Sequence, residues 1–220
     1  PGLIHQIKAI PGIEKVTLTT NGILLKKQMK ELAEAGLDSL NISLDTLDRD
    51  GFQKITRRDF LDDTLAGIKE AMKYPNVQLK INCVPLGIEE QNLCEIAEFA
   101  CKYPVHVRFI EMMPVGEGHT NGVEPYEKVI GALLEVYGTF CHIDTENREE
   151  INSGYNNADN GPAEYYSFHG LDIRVGLIQA IHGKFCDTCN RIRVTADGRL
   201  MPCLGSSVTM DLVPDSCEFT

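Results

Sequence analysis

The chain has 220 residues, of which 43% are hydrophobic, and its formal net charge at pH 7 is -11. This length and composition are sufficient for a sizeable core, in one domain with a smaller extension. The negative charge argues against general binding to nucleic acids and to anionic membrane surfaces. No apolar run has the length of a membrane span and the first residues do not have the pattern of a secretory signal, so we expect a cytoplasmic protein.

The first half of the sequence alternates strand patterns with helix patterns. Short runs rich in β-branched and other apolar residues predict strands at residues 14–22, 39–45, 77–84 and 105–110. Apolar residues at helical spacing predict helices at residues 25–36, 62–72 and 91–102. We expect Asp62 or Asp63 to cap the second helix. Four consecutive units of this kind imply an α/β fold with a parallel sheet, either doubly wound or a (β/α) barrel.

Both architectures place ligand sites at the carboxyl ends of the strands. In this sequence the polar groups at those ends are residues 19–22, 43–45, 82 and 111–113. Thr19 and Ser43 stand at two of these ends, where ordinary strand formers and capping residues are also common. These segments are therefore the positions at which we expect a site.

Two cationic residues lie within predicted apolar strands. Lys80 alternates with Asn82, so a barrel would turn its side chain inward, where an ammonium group needs an anion or a carboxylate. The alternative is that Lys80 points into solvent. Arg108 raises the same question on the next strand.

The sequence changes character near Pro114. After it come a glycine-rich segment at residues 115–122 and a predicted helix at 125–137. A polar stretch at residues 146–162 is expected to be an exposed loop, and two predicted strands follow at 163–168 and 173–178. We therefore divide the chain into residues 1–114, which contain the strand and helix units, and residues 115–220, which form a C-terminal extension.

Cys186, Cys189 and Cys203 lie in a predicted hairpin. Cys186 and Cys189 form a CxxC across one tight turn, and Asp197-Gly198 turns the chain back toward Cys203. We expect the three thiolates to converge on one metal centre. A structural zinc site normally closes with four protein ligands, whereas an iron–sulfur cluster with three protein ligands leaves one iron open to a substrate.

Two arginines follow the CxxC. Arg191 and Arg193 share one face of the predicted strand, where they suit an anion held beside the metal. A zinc knuckle completed by His182 or Cys217 is the alternative for this segment.

Four other thiols are expected to pack in the core: Cys83, Cys94, Cys101 and Cys141. A disulfide framework is disfavoured, because the eight cysteines belong to a long chain without a secretory signal.

Several segments together resemble one known family. They are TTNG at 19–22, NISLD at 41–45, KIN at 80–82, RFIEMMPVGEG at 108–118, and CDTCNRIRV and PCLG within 186–205. The family is that of the GTP 3′,8-cyclases, radical S-adenosylmethionine (SAM) enzymes also called molybdenum cofactor biosynthesis protein A. The resemblance covers nearly the whole chain, and the cysteine segment is its most specific part.

This resemblance implies a partial (β/α) barrel of the radical SAM type, with a [4Fe–4S] cluster at each end of the active-site channel and GTP between them. Three cysteines match the ligands of the C-terminal cluster, whose open iron contacts the guanine base: Cys186, Cys189 and Cys203. The positions that match nucleotide-binding residues are Thr19, Lys80, Arg191, Ile192 and Arg193. The positions that match SAM contacts are Ser43 and Met113.

The implied activity is a lyase reaction of molybdenum cofactor biosynthesis. In the family the N-terminal cluster reductively cleaves SAM, and the 5′-deoxyadenosyl radical removes a hydrogen from C3′ of GTP. The C3′ radical attacks C8 of guanine and gives 3′,8-cyclo-7,8-dihydro-GTP. The implied ligands are therefore GTP and SAM.

One part of the family pattern is absent. The sequence contains neither the CxxxCxxC of the SAM-cleaving cluster nor the GGEP segment that holds the methionine end of SAM. We therefore expect that cluster to belong to the parent protein outside these 220 residues, and the chain alone to be unable to cleave SAM. A sheet without its first strands exposes an edge, so we also expect a tendency to associate, for which a homodimer is the simplest form.

Two further hypotheses remain open from the sequence. The first is a non-enzymatic module, with zinc in the cysteine hairpin and an acidic barrel that binds a protein partner. The second is another radical SAM enzyme with an auxiliary cluster that does not respond to GTP. Bound metal separates the first from the cyclase, since a zinc site contains no sulfide.

Overall fold

The computed structural model describes residues 1–103, 105–113, 126–138, 140–142, 162–168, 174–181, 186–206 and 208–212. The helices are α1 Gly2–Lys8, α2 Leu25–Glu34, α3 Arg49–Thr56, α4 Leu61–Ala71, α5 Leu93–Lys102 and α6 Tyr126–Tyr137. The strands are β1 Thr17–Thr20, β2 Ser39–Ser43, β3 Gln78–Cys83, β4 His106–Ile110, β5 Phe140–His142, β6 Glu164–Phe168, β7 Arg174–Ile178, β8 Arg193–Val194, β9 Arg199–Met201 and β10 Met210–Asp211.

One seven-stranded sheet organises the fold, in the order β1-β2-β3-β4-β7-β6-β5. The pairs from β1 to β4, and β4 with β7, are parallel, whereas β6 and β5 are added antiparallel. The α/β class and the parallel sheet are therefore confirmed, and the arrangement is consistent with an incomplete (β/α) barrel. Because β7 pairs with β4, strands on both sides of residue 114 share this sheet, and the division at that residue stays a prediction.

A second, smaller sheet contains the cysteine hairpin. Its three antiparallel strands have the order β10-β9-β8.

Among the helices that the structure describes, none has the length and apolar character needed to cross a membrane.

The core follows from the alternation of side chains along the parallel strands. Ile42, Ile81, Val107 and Val175 lie in register across β2, β3, β4 and β7, and all four are fully buried. They belong to one apolar cluster that also contains Met29 of α2, Ile68 of α4 and Ile96 of α5. The neighbouring positions along each strand point to the opposite face of the sheet.

The predicted starts of α4 and α5 differ from the observed ones. Asp62 and Asp63 do not cap α4, because its N-cap position is Phe60 and both carboxylates lie in the first turn instead. The carboxylate of Asp62 forms an ion pair with Arg49, and acidic residues in a first turn lie near the positive end of the helix dipole. Asn92 caps α5 by accepting hydrogen bonds from the backbone N–H groups of Cys94 and Glu95.

Several predictions fall on other parts of the chain. The glycine-rich segment 115–122 and the polar loop up to residue 161 lie outside the described residues, as do His182 and Cys217. The side chain of Cys141 also lies outside them. Core packing is confirmed for Cys83, which is fully buried, and for Cys94 and Cys101, which pack against the core cluster.

The turn after β1 packs directly against α4. Gly22 has a φ of 83°, and a Cβ atom on Gly67 would lie 2.3 Å from the carbonyl oxygen of Gly22. Thr64 donates a hydrogen bond from Oγ1 to the carbonyl oxygen of Asn21 at 3.2 Å. The two glycines and Thr64 therefore fix the carboxyl end of β1, which is one of the predicted ligand positions.

Candidate functional site

One face of the parallel sheet is polar. Thr19, Asn41 and Lys80 lie in register across β1, β2 and β3, and Asn82 lies in register with Arg108 of β4. We call these five residues the polar sheet face. Because they alternate with the buried apolar row, their side chains point away from the core cluster. The sheet therefore collects polar groups from four different strands.

Arg108 is the centre of the polar sheet face. Its Nε donates a hydrogen bond to Oδ1 of Asn82 at 2.9 Å, and its Nη2 donates to Oδ1 of Asn41 at 2.7 Å. The Nδ2 of Asn41 in turn donates to Oγ1 of Thr19 at 3.3 Å. Hydrogen bonds thus run from β1 to β4, and the guanidinium sets the orientation of both amides.

Lys80 lies on the same face and is 4% exposed. The alternative that Lys80 points into solvent is therefore wrong. In the register of the sheet it lies between Asn41 and His106. Arg108, at 6% exposure, is the second buried cation of this face. A protein with a net charge of -11 thus carries two buried cations on one side of its sheet.

The two predicted SAM contacts lie at the carboxyl edge of the same sheet. Ser43 is the last residue of β2 and is exposed, and Met113 follows β4 by three residues and is half-buried. Between β4 and Met113, Glu111 accepts a hydrogen bond at Oε2 from the backbone N–H of Ile181 at 2.7 Å. That bond joins the segments that leave β4 and β7, so the edge is built from several strand ends.

The loops after β2 and β3 are fixed by one half-buried network of hydrogen bonds. Gln91 accepts a hydrogen bond from the backbone N–H of Leu86 at 2.7 Å and donates from Nε2 to the carbonyl oxygens of Asp45 and Val84, both at 2.8 Å. The carboxylate of Asp45 accepts from the N–H of Val84 at 2.8 Å. Burial raises the pKa of Asp45, although the hydrogen bond from Val84 acts in the opposite direction.

Cys83 adjoins this network. Burial raises the pKa of its thiol well above the ordinary value, and the nearby carboxylate of Asp45 adds to the increase. The thiol therefore stays protonated at neutral pH, which suits a packed core residue and does not suit a thiolate ligand.

The cysteine hairpin has the predicted shape. Cys186 begins a single 3-10 turn, and the backbone N–H of Cys189 donates to the carbonyl oxygen of Cys186 at 3.2 Å. Arg193 pairs with Met201 and Val194 pairs with Leu200, whereas Arg191 and Cys203 lie outside the paired strands. The turn that contains Gly198 thus reverses the chain between the CxxC and Cys203.

The three thiols of the hairpin are free and exposed. The backbone N–H of Gly205 donates to Sγ of Cys203 at 3.4 Å, and N–H donors to sulfur are among the contacts that tune iron–sulfur clusters. Within the residues that the structure describes, no three His, Cys, Asp or Glu side chains are close enough to hold a metal ion. The expected convergence of Cys186, Cys189 and Cys203 on one metal centre is therefore not seen in this structure, and ligation of a cluster by these cysteines stays a prediction.

The nucleotide-binding positions predicted on the hairpin are exposed to different degrees. Ile192 is 70% exposed, Arg193 is exposed and Arg191 is half-buried. In the described residues the hairpin belongs to a separate sheet, so sheet hydrogen bonds do not join these positions to Thr19 and Lys80. Thr19 and Lys80 lie on either side of Asn41 in the register of the large sheet. The predicted positions on the hairpin, Arg191, Ile192 and Arg193, form a separate group.

Two family models match the chain. The model described as Molybdenum Cofactor Synthesis C matches residues 105–215, and the model of the radical SAM superfamily matches residues 2–100. The first match covers half of the chain, and the two together cover nearly all of it. The chain belongs to the molybdenum cofactor synthesis C family. Residues 2–100 are similar to the radical SAM superfamily, and that superfamily implies a [4Fe–4S] cluster and SAM.

Curated relatives of the family agree with these matches. A GTP 3′,8-cyclase of Heliobacterium modesticaldum is 38% identical over 95% of this chain and 62% of its own length. A GTP 3′,8-cyclase of Clostridium perfringens is 41% identical over 92% of this chain and 59% of its own length. Molybdenum cofactor biosynthesis protein 1 of Drosophila melanogaster is 37% identical over 92% of this chain and 34% of its own length. The chain thus spans about three fifths of the length of the two bacterial relatives.

Asn41 is the contributor to the site that the sequence analysis did not single out. It was one letter of the NISLD segment, yet it connects Thr19 with Arg108 through its amide. The signal that would have found it is the register of the sheet, which places Asn41 directly beside Lys80. Alternation within β2 alone does not show which polar residue of a neighbouring strand lies beside it.

Proposed function

We propose that this chain is the part of a GTP 3′,8-cyclase of molybdenum cofactor biosynthesis that binds GTP and carries an auxiliary iron–sulfur cluster. The reaction is that of its relatives by name, two of which are GTP 3′,8-cyclases. Family membership supports the class of chemistry, and the substrate is part of the proposal.

The observation that carries the proposal is the pair of buried cations on the polar sheet face. Two buried cations on one sheet face give that face a positive potential, which attracts the negatively charged oxygens of a triphosphate. Lys80 and Arg108 are both more than nine-tenths buried in a protein of strongly negative charge. The acidic remainder would repel a nucleotide, so binding must depend on this local positive region.

The nucleotide would be held from two sides. Thr19 and Lys80 are the proposed contacts on the sheet, and a hydroxyl with an ammonium suits phosphate oxygens. Arg191, Ile192 and Arg193 are the proposed contacts on the hairpin, next to the cysteines. The exposed side chains of Ile192 and Arg193 are accessible to a ligand. Cys186, Cys189 and Cys203 would hold the [4Fe–4S] cluster whose open iron meets the guanine base.

SAM would bind at the carboxyl edge of the sheet, with Ser43 and Met113 as contacts. When bound, the SAM-cleaving cluster and SAM supply the radical that removes a hydrogen from C3′ of GTP. The residues of this chain would hold the ribose in position and keep both ligands at the same edge. We further propose a cytoplasmic location and no nucleic-acid partner, and the homodimer stays a prediction.

The proposal is tested by the affinity for GTP, measured by isothermal titration calorimetry on the reconstituted chain. We expect Lys80→Met to weaken binding roughly 10- to 100-fold, because one charge-assisted hydrogen bond to the nucleotide is lost. Lys27→Met is the matched control, since Lys27 lies exposed on α2 and should leave the affinity unchanged. Equal affinity of Lys80→Met and Lys27→Met, or no binding of GTP by the unaltered chain, would contradict the proposal.

A further inference from the structure

Gly176 lies at the centre of a row that crosses three strands. In the register of the sheet it is opposite Arg108 of β4 on one side and opposite Tyr165 of β6 on the other. Tyr165 lies in turn beside His106, with ring centroids 6.2 Å apart in an edge-to-face arrangement. Gly176 is thus the position of β7 nearest to the guanidinium-bearing side chain of the polar sheet face.

The glycine is required here for space. A Cβ atom built on Gly176 would lie 2.9 Å from Cγ of Arg108 and 2.9 Å from Cε1 of Tyr165. Separations below 3.0 Å are essentially never found for real Cβ atoms. The φ of Gly176 is not in the left-handed region that favours glycine, so the backbone would accept an L-residue. Glycine is therefore required at position 176 by the packing of Arg108 and Tyr165 and not by the backbone conformation of β7.

The contact with Arg108 involves the aliphatic part of that side chain. Cγ of Arg108 is two bonds from Nε, the atom that donates a hydrogen bond to Asn82. A shift of Cγ also moves Nη2, the atom that donates to Asn41. Both hydrogen bonds are short and depend on one conformation of Arg108. A methyl group at position 176 would force Cγ toward β3 and disturb both donors at once.

We propose that Gly176 is a positioning residue for the polar sheet face. It leaves the room in which Arg108 adopts the conformation that orients Asn41 and Asn82. The consequence for nucleotide binding rests on the proposed function, whereas the consequence for Arg108 does not. The two consequences can therefore be measured separately.

The direct test is NMR spectroscopy of the full chain labelled with ¹⁵N-arginine. The Nε–H resonance of Arg108, assigned from its loss in Arg108→Lys, should exchange slowly with water in the unaltered chain. In Gly176→Ala we expect that exchange to be about tenfold faster or more, because the hydrogen bond to Asn82 is weakened. Gly131→Ala is the control, since a Cβ on Gly131 meets nothing within 4 Å and should change nothing.

Unchanged exchange of the Arg108 Nε–H in Gly176→Ala would overturn the proposal, whether or not the chain binds GTP. If GTP binds, Gly176→Ala should also weaken its affinity, and the weakening should disappear when Arg108 is already replaced by alanine. If no GTP binds to the unaltered chain, the proposed function fails while the NMR comparison still decides the role of Gly176.

A second measurement covers the case in which Gly176→Ala does not fold. Thermal unfolding is compared for the Gly176→Ala change in the unaltered chain and in an Arg108→Ala background. Because Arg108→Ala removes Cγ, the loss in Tm caused by Ala at position 176 should be clearly smaller in that background. An equal loss in both backgrounds would assign the conflict to Tyr165 alone and would overturn the proposal.

Discussion

Arg108 stabilises the polar sheet face through two side-chain amides. A shorter cation at this position cannot donate to Asn82 and Asn41 together, because those acceptors lie on two different strands. The guanidinium is suited to this task since it carries five N–H donors in a fixed plane. The neighbouring Lys80, with one terminal ammonium, is suited to a single point of contact with an anion.

The first prediction concerns this bridge. We expect Arg108→Lys to lower the free energy of unfolding by about 1–3 kcal/mol, since an ammonium cannot donate to the half-buried amide oxygens of Asn41 and Asn82 together. Chemical denaturation measures the change, and Arg58→Lys on the surface is the control. If both variants unfold at the same denaturant concentration, the bridge does not contribute as described.

The second prediction concerns the pH dependence of Asp45. Burial raises its folded pKa above the unfolded value of 3.8, so the folded chain binds this proton more tightly than the unfolded chain. The group therefore favours folding most at low pH, and that contribution is lost as the pH rises through the folded pKa.

Asp45→Asn removes the titration and keeps an oxygen that accepts from the N–H of Val84. We expect its free energy of unfolding to vary less between acid and neutral pH than that of the unaltered chain, with no loss at pH 7. Denaturation over a pH series measures this, with exposed Glu14→Gln as the control. A parallel pH profile in Asp45→Asn and the unaltered chain would contradict the assignment.

At the scale of single residues, the sequence predicted part of the candidate site. Alternation within the third strand identified Lys80 and Asn82, and the structure places Lys80 between Asn41 and His106 and Asn82 between Ser43 and Arg108. Asn41 and the role of Gly176 were not predictable in this way, because they depend on register between strands that are far apart in sequence. The hairpin cysteines were evident from spacing, since a CxxC and one turn are local features.

At the scale of elements, the turn after β1 depends on a close approach to α4. Gly67→Ala should lower the free energy of unfolding by about 1–3 kcal/mol, because the added methyl group meets the carbonyl oxygen of Gly22 and Cβ of Leu25. Gly131→Ala, also in a helix but without near neighbours, should be neutral or stabilising by up to about 1 kcal/mol. A similar denaturation midpoint for both variants would show that α4 can move away without cost.

The elements that the sequence predicted are those with strong periodicity. α2, α4, α5 and the strands β1 to β4 were found within a few residues of their observed bounds. α3 was missed because it is short, contains Gly51 and buries only Gly51 and Phe52. Its signal was the N-cap Asp48, which accepts from the N–H of Gly51 at 2.7 Å.

At the scale of the whole molecule, we propose that the chain supplies the substrate side of the reaction, and its sequence has no motif for cleaving SAM. No CxxxCxxC is present among the eight cysteines. We therefore expect no 5′-deoxyadenosine when the reconstituted chain is incubated with SAM, GTP and a strong reductant, as measured by liquid chromatography and mass spectrometry. A full-length bacterial relative is the positive control. Production of 5′-deoxyadenosine by this chain would contradict the expectation.

The central claim is that the cysteine hairpin holds an iron–sulfur cluster that meets GTP. The most direct measurement is anaerobic reconstitution of the chain, followed by iron and sulfide analysis and by EPR and ENDOR spectra with and without GTP. We predict about four irons and four sulfides per chain, with a cluster signal that changes when GTP is added. Zinc without sulfide, or a cluster signal that GTP does not alter, would contradict the claim.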